Sequence, residues 1–101
     1  MVEEKQIPLE EAKKLVQEAL VSTGLVIKTS DYIYAIYEKA PDKWINVSII
    51  LDEKTAWVSE ATTKKAILLL IDEVSKSLPQ YKDQWKPILD EAELEDILSE
   101  V

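Results

Sequence analysis

Between Leu25 and Ser59 the chain carries four segments rich in β-branched and aromatic residues, and the breaks between them are only three or four residues long. The segments are Leu25 to Lys28, Tyr32 to Lys39, Trp44 to Leu51 and Thr55 to Ser59, separated by Thr29-Ser30-Asp31, Ala40-Pro41-Asp42 and Asp52-Glu53-Lys54. Such composition favours strands. A parallel crossover needs about a dozen residues or more, so connections this short admit only hairpins, and the four strands should form an antiparallel meander in sequence order.

Register can be tested against the apolar pattern, because a slip of one residue moves every side chain to the other face. Pairing Glu38 with Trp44 sets Tyr37 opposite Ile45, Ala35 opposite Val47 and Ile33 opposite Ile49. Pairing Lys28 with Tyr32 adds Leu25 and Ile27 to that aliphatic side. In the last hairpin an even connection, pairing Leu51 with Ala56 and Ile49 with Val58, keeps Ala56 and Val58 there too. The opposite side then carries Val26, Tyr32, Tyr34, Ile36, Trp44, Asn46, Ser48, Ile50, Thr55 and Trp57. Tyr and Trp beside Asn, Ser and Thr are the amphipathic chemistry enriched where a surface meets a partner.

Helical periodicity flanks the strands. Pro8 suits a first helical position, Glu10 and Glu11 fall in the first turn, and Leu9, Ala12, Leu15, Val16, Ala19 and Leu20 recur at helical spacing, so a helix is expected from Pro8 to Ser22. Gly24, the chain's single glycine, follows where a left-handed residue commonly closes a helix. After Ser59 or Thr62 as a cap, a long helix with Ile67, Leu70, Ile71, Val74 and Leu78 on one stripe should end at Pro79. Tyr81 and Trp85 suit a short turn, and Pro87 should open a C-terminal helix with Ile88, Leu89, Ala92, Leu94, Ile97, Leu98 and Val101 on its apolar side. The expected architecture is one α+β domain over 1–101: an N-terminal helix and a long helix on the aliphatic face of a four-stranded antiparallel meander, then an acidic amphipathic helix over 87–101, free to move or to dock on a partner.

Charge narrows the partners. The 101 residues hold 20 acidic and 12 basic side chains, for a net charge of -8, and every basic residue is lysine. Six acids and no lysine lie from Asp90 onward (Asp90, Glu91, Glu93, Glu95, Asp96, Glu100), forming a secondary acidic surface. A lysine-only acidic chain lacks the planar fork that reads phosphates and guanines, which turns the reading away from nucleic acid. With no cysteine and no histidine, thiolate metal sites, disulfides and the usual general base near neutral pH are excluded. No glycine-rich phosphate loop or EF-hand spacing is present, so neither cofactor nor metal is expected and the chain reads as non-enzymatic. The polar start MVEEKQIPLE and the short apolar run Ala66 to Ile71 point to a cytoplasmic protein without a membrane segment, and the lysine- and glutamate-rich composition leans towards a thermophile's.

The leading expectation is a protein-protein interaction module, self-associating as a homo-oligomer, with Tyr32, Tyr34, Trp44, Asn46, Ser48, Ile50 and Trp57 as its partner-binding face unless the C-terminal helix folds over them. Two alternatives stand beside it. One is an apolar small-molecule carrier with a pocket between sheet and long helix lined by Ile33, Ile49, Leu70 and Trp57. The other is an acidic inhibitor that imitates nucleic acid towards a basic enzyme.

Overall fold

A computed structural model describes residues 4–22, 24–81 and 86–101, with side chains over 4–22, 24–75 and 87–101. The elements in order are β1 (Glu4–Ile7), α1 (Leu9–Val21), β2 (Leu25–Lys28), β3 (Tyr32–Ala40), β4 (Lys43–Ile50), β5 (Thr55–Ala61), α2 (Thr63–Tyr81), β6 (Lys86–Pro87) and α3 (Glu91–Ser99). All strand pairs are antiparallel, in the order β1-β5-β4-β3-β2-β6. The fold is α+β, and its central four strands are the expected meander. Two edge strands extend it: β1 on β5, and the two-residue β6 on β2.

The β3–β4 register matches the sequence expectation, with Glu38 opposite Trp44, Tyr37 opposite Ile45, Ala35 opposite Val47 and Ile33 opposite Ile49. The β2–β3 hairpin differs by one residue, since Lys28 pairs with Ile33 rather than Tyr32. Thr29 explains the longer turn: its N–H donates to the Tyr32 carbonyl at 3.0 Å, and its Oγ1 accepts from the N–H groups of Asp31 and Tyr32 at 3.3 and 3.2 Å. A hydroxyl closing the turn internally makes it four residues long. Val26 therefore joins the aliphatic face, and Leu25 and Ile27 move to the aromatic one. The last hairpin has the expected even connection, 51–54, but pairs Ile49 with Ala56 and Val47 with Val58, two residues from the expected register and on the same faces.

Two helices share the aliphatic face. Ala12, Val16 and Ala19 of α1 and Leu94 and Leu98 of α3 pack with Val26, Ile33, Ala35, Tyr37, Val47, Ile49 and Ala56 in one core. The expectation that α2 lies on this face is overturned: Ala66 and Leu70 of α2 pack with Ile27, Tyr34, Ile36 and Trp44 on the other side. With α1 and α3 occupying the first face, and Leu25 and Ile27 added to the second, the remaining apolar helix removes most hydrocarbon from water on the second. The C-terminal helix is thus docked on the aliphatic side, and the Lys13 ammonium donates to the Val101 carbonyl at 2.9 Å.

Helix ends also differ from expectation. Pro8 is the extended residue before α1, and its carbonyl accepts from the Ala12 N–H at 3.1 Å. α2 continues past Pro79 to Tyr81, while Trp85 lies outside the described residues. Pro87 sits in β6 rather than opening a helix, and α3 begins after Asp90, whose carboxylate accepts from the Ala92 N–H at 2.8 Å. No glycine holds a positive φ, so Gly24 is not a left-handed helix stop. It is a point of close approach: a Cβ there would meet the Ile36 carbonyl oxygen at 2.5 Å, the Tyr37 Cβ at 2.6 Å and the Ala19 carbonyl oxygen at 2.7 Å.

The tip of the β3–β4 hairpin is tied to α2. Asp42 holds a φ of 59°, and its carboxylate accepts from the Thr63 N–H at 2.9 Å, at the helix N-terminus where a negative charge complements the macrodipole. The Trp44 indole N–H donates to the Thr63 hydroxyl at 3.0 Å, and the Thr62 carbonyl accepts from the Ala66 N–H at 2.8 Å. Asp42→Ala removes this cap and leaves a β-carbon in the left-handed region without the carboxylate that tolerates it; chemical denaturation should show a loss of about 1–2 kcal/mol. Asp42→Asn should retain most of that stability.

Candidate functional site

The aromatic side is built in rows across the strands. Tyr34, Ser48, Trp57 and Gln6 lie side by side from β3 to β1, and Ile36, Asn46, Ser59 and Glu4 form the adjacent row. Side chains alternate along each strand, so these rows project towards α2. Small Ser48 and Ser59 between larger neighbours leave a hollow. α2 bridges this surface only in part, dividing the seven residues expected to bind a partner.

Three of the seven are held beneath or beside the helix. Tyr34 is 3% exposed and Asn46 5% exposed. The Tyr34 hydroxyl donates to Asn46 Oδ1 at 3.1 Å, leaving Asn46 Nδ2 without a partner. Burial raises the Tyr34 pKa well above that of an ordinary phenol, and the negative charges of Glu73 and Glu4 and the neighbouring Tyr32 add to the rise. Half-buried Trp44 anchors the start of α2 through Thr63. With α2 in place, Tyr34 and Asn46 are not available to a large partner surface.

The other four remain accessible together. Tyr32, Ser48, Ile50 and Trp57 line a cleft of about 320 Å³ with Glu4, Asp31 and Glu73. It adjoins a narrow chamber of about 30 Å³ bounded by Tyr34, Asn46, Ser48, Trp57, Ser59, Leu69, Glu4 and Glu73. Among the described residues, Glu4 and Glu73 border both spaces and Asp31 borders the cleft. Among the described residues, no group of three or more carboxylates is arranged to hold a metal ion.

Glu4, Asp31 and Glu73 escaped the sequence reading for different reasons. Asp31 precedes Tyr32 but lies in the turn between β2 and β3, where strand alternation assigns no face. Glu73 arrives only because α2 lies on this side, and Glu4 only because β1 adds to β5, and neither event leaves a periodic trace. The proposed carrier pocket does not assemble: Ile33 and Ile49 belong to the aliphatic core, on the opposite side of the sheet from Leu70 and Trp57. On α3, Glu91, Glu95, Asp96 and Glu100 are exposed, Glu93 is half-buried and Asp90 caps the helix. Among the described residues, no helix is long and apolar enough to cross a membrane. Compared with known proteins, the chain matches no family model, no curated protein and no solved structure significantly.

Proposed function

We propose that this chain is a small non-enzymatic interaction module that associates with a second copy of itself and receives a protein partner on the aromatic side of its sheet. The supporting observation is the outer face of α2, where Ile67, Leu68 and Ile71 are 50%, 56% and 56% exposed. Three large aliphatic side chains side by side form an apolar ridge of the kind that marks contact surfaces. Its flanks are self-complementary. When two copies of α2 pack antiparallel about Leu68, Lys64 of one copy meets Asp72 of the other, and the symmetry operation repeats the pair. A two-fold contact of this type places the same patch on both subunits, with the open cleft beside it left to a different partner.

Light scattering and sedimentation at micromolar concentration test the association. The wild type should have twice the chain mass, and Leu68→Glu with Ile71→Glu should reduce it to one while circular dichroism stays unchanged. Lys64→Glu should weaken association by about tenfold, and Asp72→Lys in the same chain should restore it, as expected for a desolvated charge pair. A wild type that stays monomeric throughout that range contradicts the reading.

A further inference from the structure

We infer that the groove between α1 and α3 is a docking site for a basic amphipathic helix of a partner protein, which seats one large apolar side chain between the two helices and sets lysine or arginine side chains against Glu91 and Glu95. The groove lies on the opposite side of the sheet from α2, so it is separate from the self-association proposed above and stands or falls without it.

The groove follows from how the two helices meet. Lys13, in the first half of α1, donates to the Val101 carbonyl just beyond α3, while Gln17, Leu20 and Val21 in the second half of α1 share a hollow with Glu91, Leu94 and Glu95 in the first half of α3. The helices therefore run antiparallel. Leu20 and Leu94 supply apolar walls, and Val21 is 68% exposed. Leu89, two residues before α3 and so at the same end as Val21, is 84% exposed. The hollow has a volume of about 210 Å³. That is below the roughly 300–1,000 Å³ of sites that enclose a whole small molecule, and it suits a single anchoring side chain. A third helix laid along two others presents such an anchor from its apolar stripe.

Charge chooses the occupant. Segments 9–21 and 90–101 hold nine acidic side chains against two lysines, and of these Lys13 is held by the Val101 carbonyl and Glu10. Glu91 and Glu95 are exposed at positions i and i+4 of α3, about 6 Å apart along its axis, and among the described residues neither has an ion-pair partner. Like charges at this spacing repel, and α3 has no basic residue in its last turn to offset its acids. Cations one turn apart on a partner helix would meet both carboxylates and remove that repulsion. A second copy, a nucleic acid or an anionic membrane brings charge of the same sign to this face and is repelled.

The probe is a blocked helical peptide of leucine, lysine and alanine, about 15 residues long, with its leucines on one stripe and its lysines on the flanks, titrated into the full chain under nitrogen-proton NMR. It should shift the backbone signals of Gln17, Val21 and Glu95 saturably and leave those of Ile67 and Ile71 in place. Glu91→Gln combined with Glu95→Gln should weaken binding by about tenfold, whereas Asp96→Asn combined with Glu100→Gln, which removes the same charge outside the groove, should weaken it by about twofold at most. Val21→Ser, at an exposed position, should weaken it by about threefold with thermal unfolding unchanged. Equal losses from the two double variants, equal binding of a peptide of the same composition in scrambled order, or shifts that vanish in the Leu68→Glu, Ile71→Glu variant overturn the inference. Concentration-dependent shifts at Gln17 and Val21 without peptide assign the groove to a second copy and overturn it as well. Light scattering on the same samples keeps the two readings apart: a monomer that binds the peptide rejects self-association alone, and a dimer that ignores it rejects the groove alone.

Discussion

Gly24→Ala should lower the stability of the chain by about 3 kcal/mol, at the upper end of what overpacking costs, read as a lower urea midpoint at unchanged slope. A new β-carbon would lie 2.5 and 2.7 Å from the carbonyl oxygens of Ile36 and Ala19, and 2.6 Å from the Tyr37 β-carbon. Two of these obstacles are backbone, one in the middle of β3 and one in the last turns of α1, so no flexible side chain can give way. Ala19, Ile36 and Tyr37 are themselves buried, which prevents the strand and helix from separating without opening the core. The comparison with Gly24→Asn separates two roles for this glycine. A left-handed helix stop tolerates asparagine, whereas a close approach rejects it as firmly as alanine. Asparagine should therefore be no better than alanine here.

The second large effect is alkaline. Burial, with the Glu18 carboxylate nearby, pushes the Tyr37 phenol from 10.0 up to about 12, and Tyr34 on the other face is raised as well. A raised pKa means that the folded state holds its proton more tightly than the unfolded chain. The contribution to stability is then complete below the unfolded pKa near 10 and is lost as pH rises from there through the folded value. For Tyr37 the loss between pH 10 and pH 12 is about 2–3 kcal/mol, with a further loss in the same direction from Tyr34. Tyr37→Phe should flatten the Tyr37 part of that slope in denaturation measured across the alkaline range. Its neutral-pH effect has the opposite sign from most core substitutions: the Tyr37 hydroxyl is buried without a hydrogen-bond partner of good geometry, so removing it should stabilise the chain by about 1 kcal/mol. A loss of stability at neutral pH would instead show that the hydroxyl is bonded to Glu18 in solution.

What could be read ahead of the structure depended on whether a segment contrasts its two faces. β3 and β4 alternate clearly enough that Ile33, Ala35 and Tyr37 find Ile49, Val47 and Ile45 from pattern alone. β2 does not: Leu25, Val26 and Ile27 are apolar in sequence, so a one-residue slip costs nothing in the pattern, and the turn geometry set by Thr29 decides. α2 has the same ambiguity on a helix. Ile67 to Ile71 is apolar at every position, and the expected inward stripe of Ile67 and Ile71 is the exposed one, while Ala66 is buried and Leu69 and Leu70 are half-buried. The two edge strands were illegible for a different reason. Glu4 to Ile7 has no strand-like composition, and Lys86–Pro87 is too short to have any. The candidate site inherits this division: Tyr32, Ser48, Ile50 and Trp57 follow from alternation on strands, whereas Glu4 and Glu73 are brought in by elements whose placement only tertiary packing determines.

Those two edges also decide how this sheet can meet its surroundings. An open margin of unpaired backbone groups is a template on which a foreign strand can add, and natural sheets blunt it with charge, proline or brevity. β1 presents Glu4 and Lys5 along one margin, and the other margin is two residues long and contains Pro87, which has no N–H to donate. Growth of the sheet sideways, whether into an ordered polymer or an amyloid-like ladder, is disfavoured at both ends. The self-association proposed above therefore uses a broad surface, the outer face of α2, where side chains rather than backbone choose the neighbour.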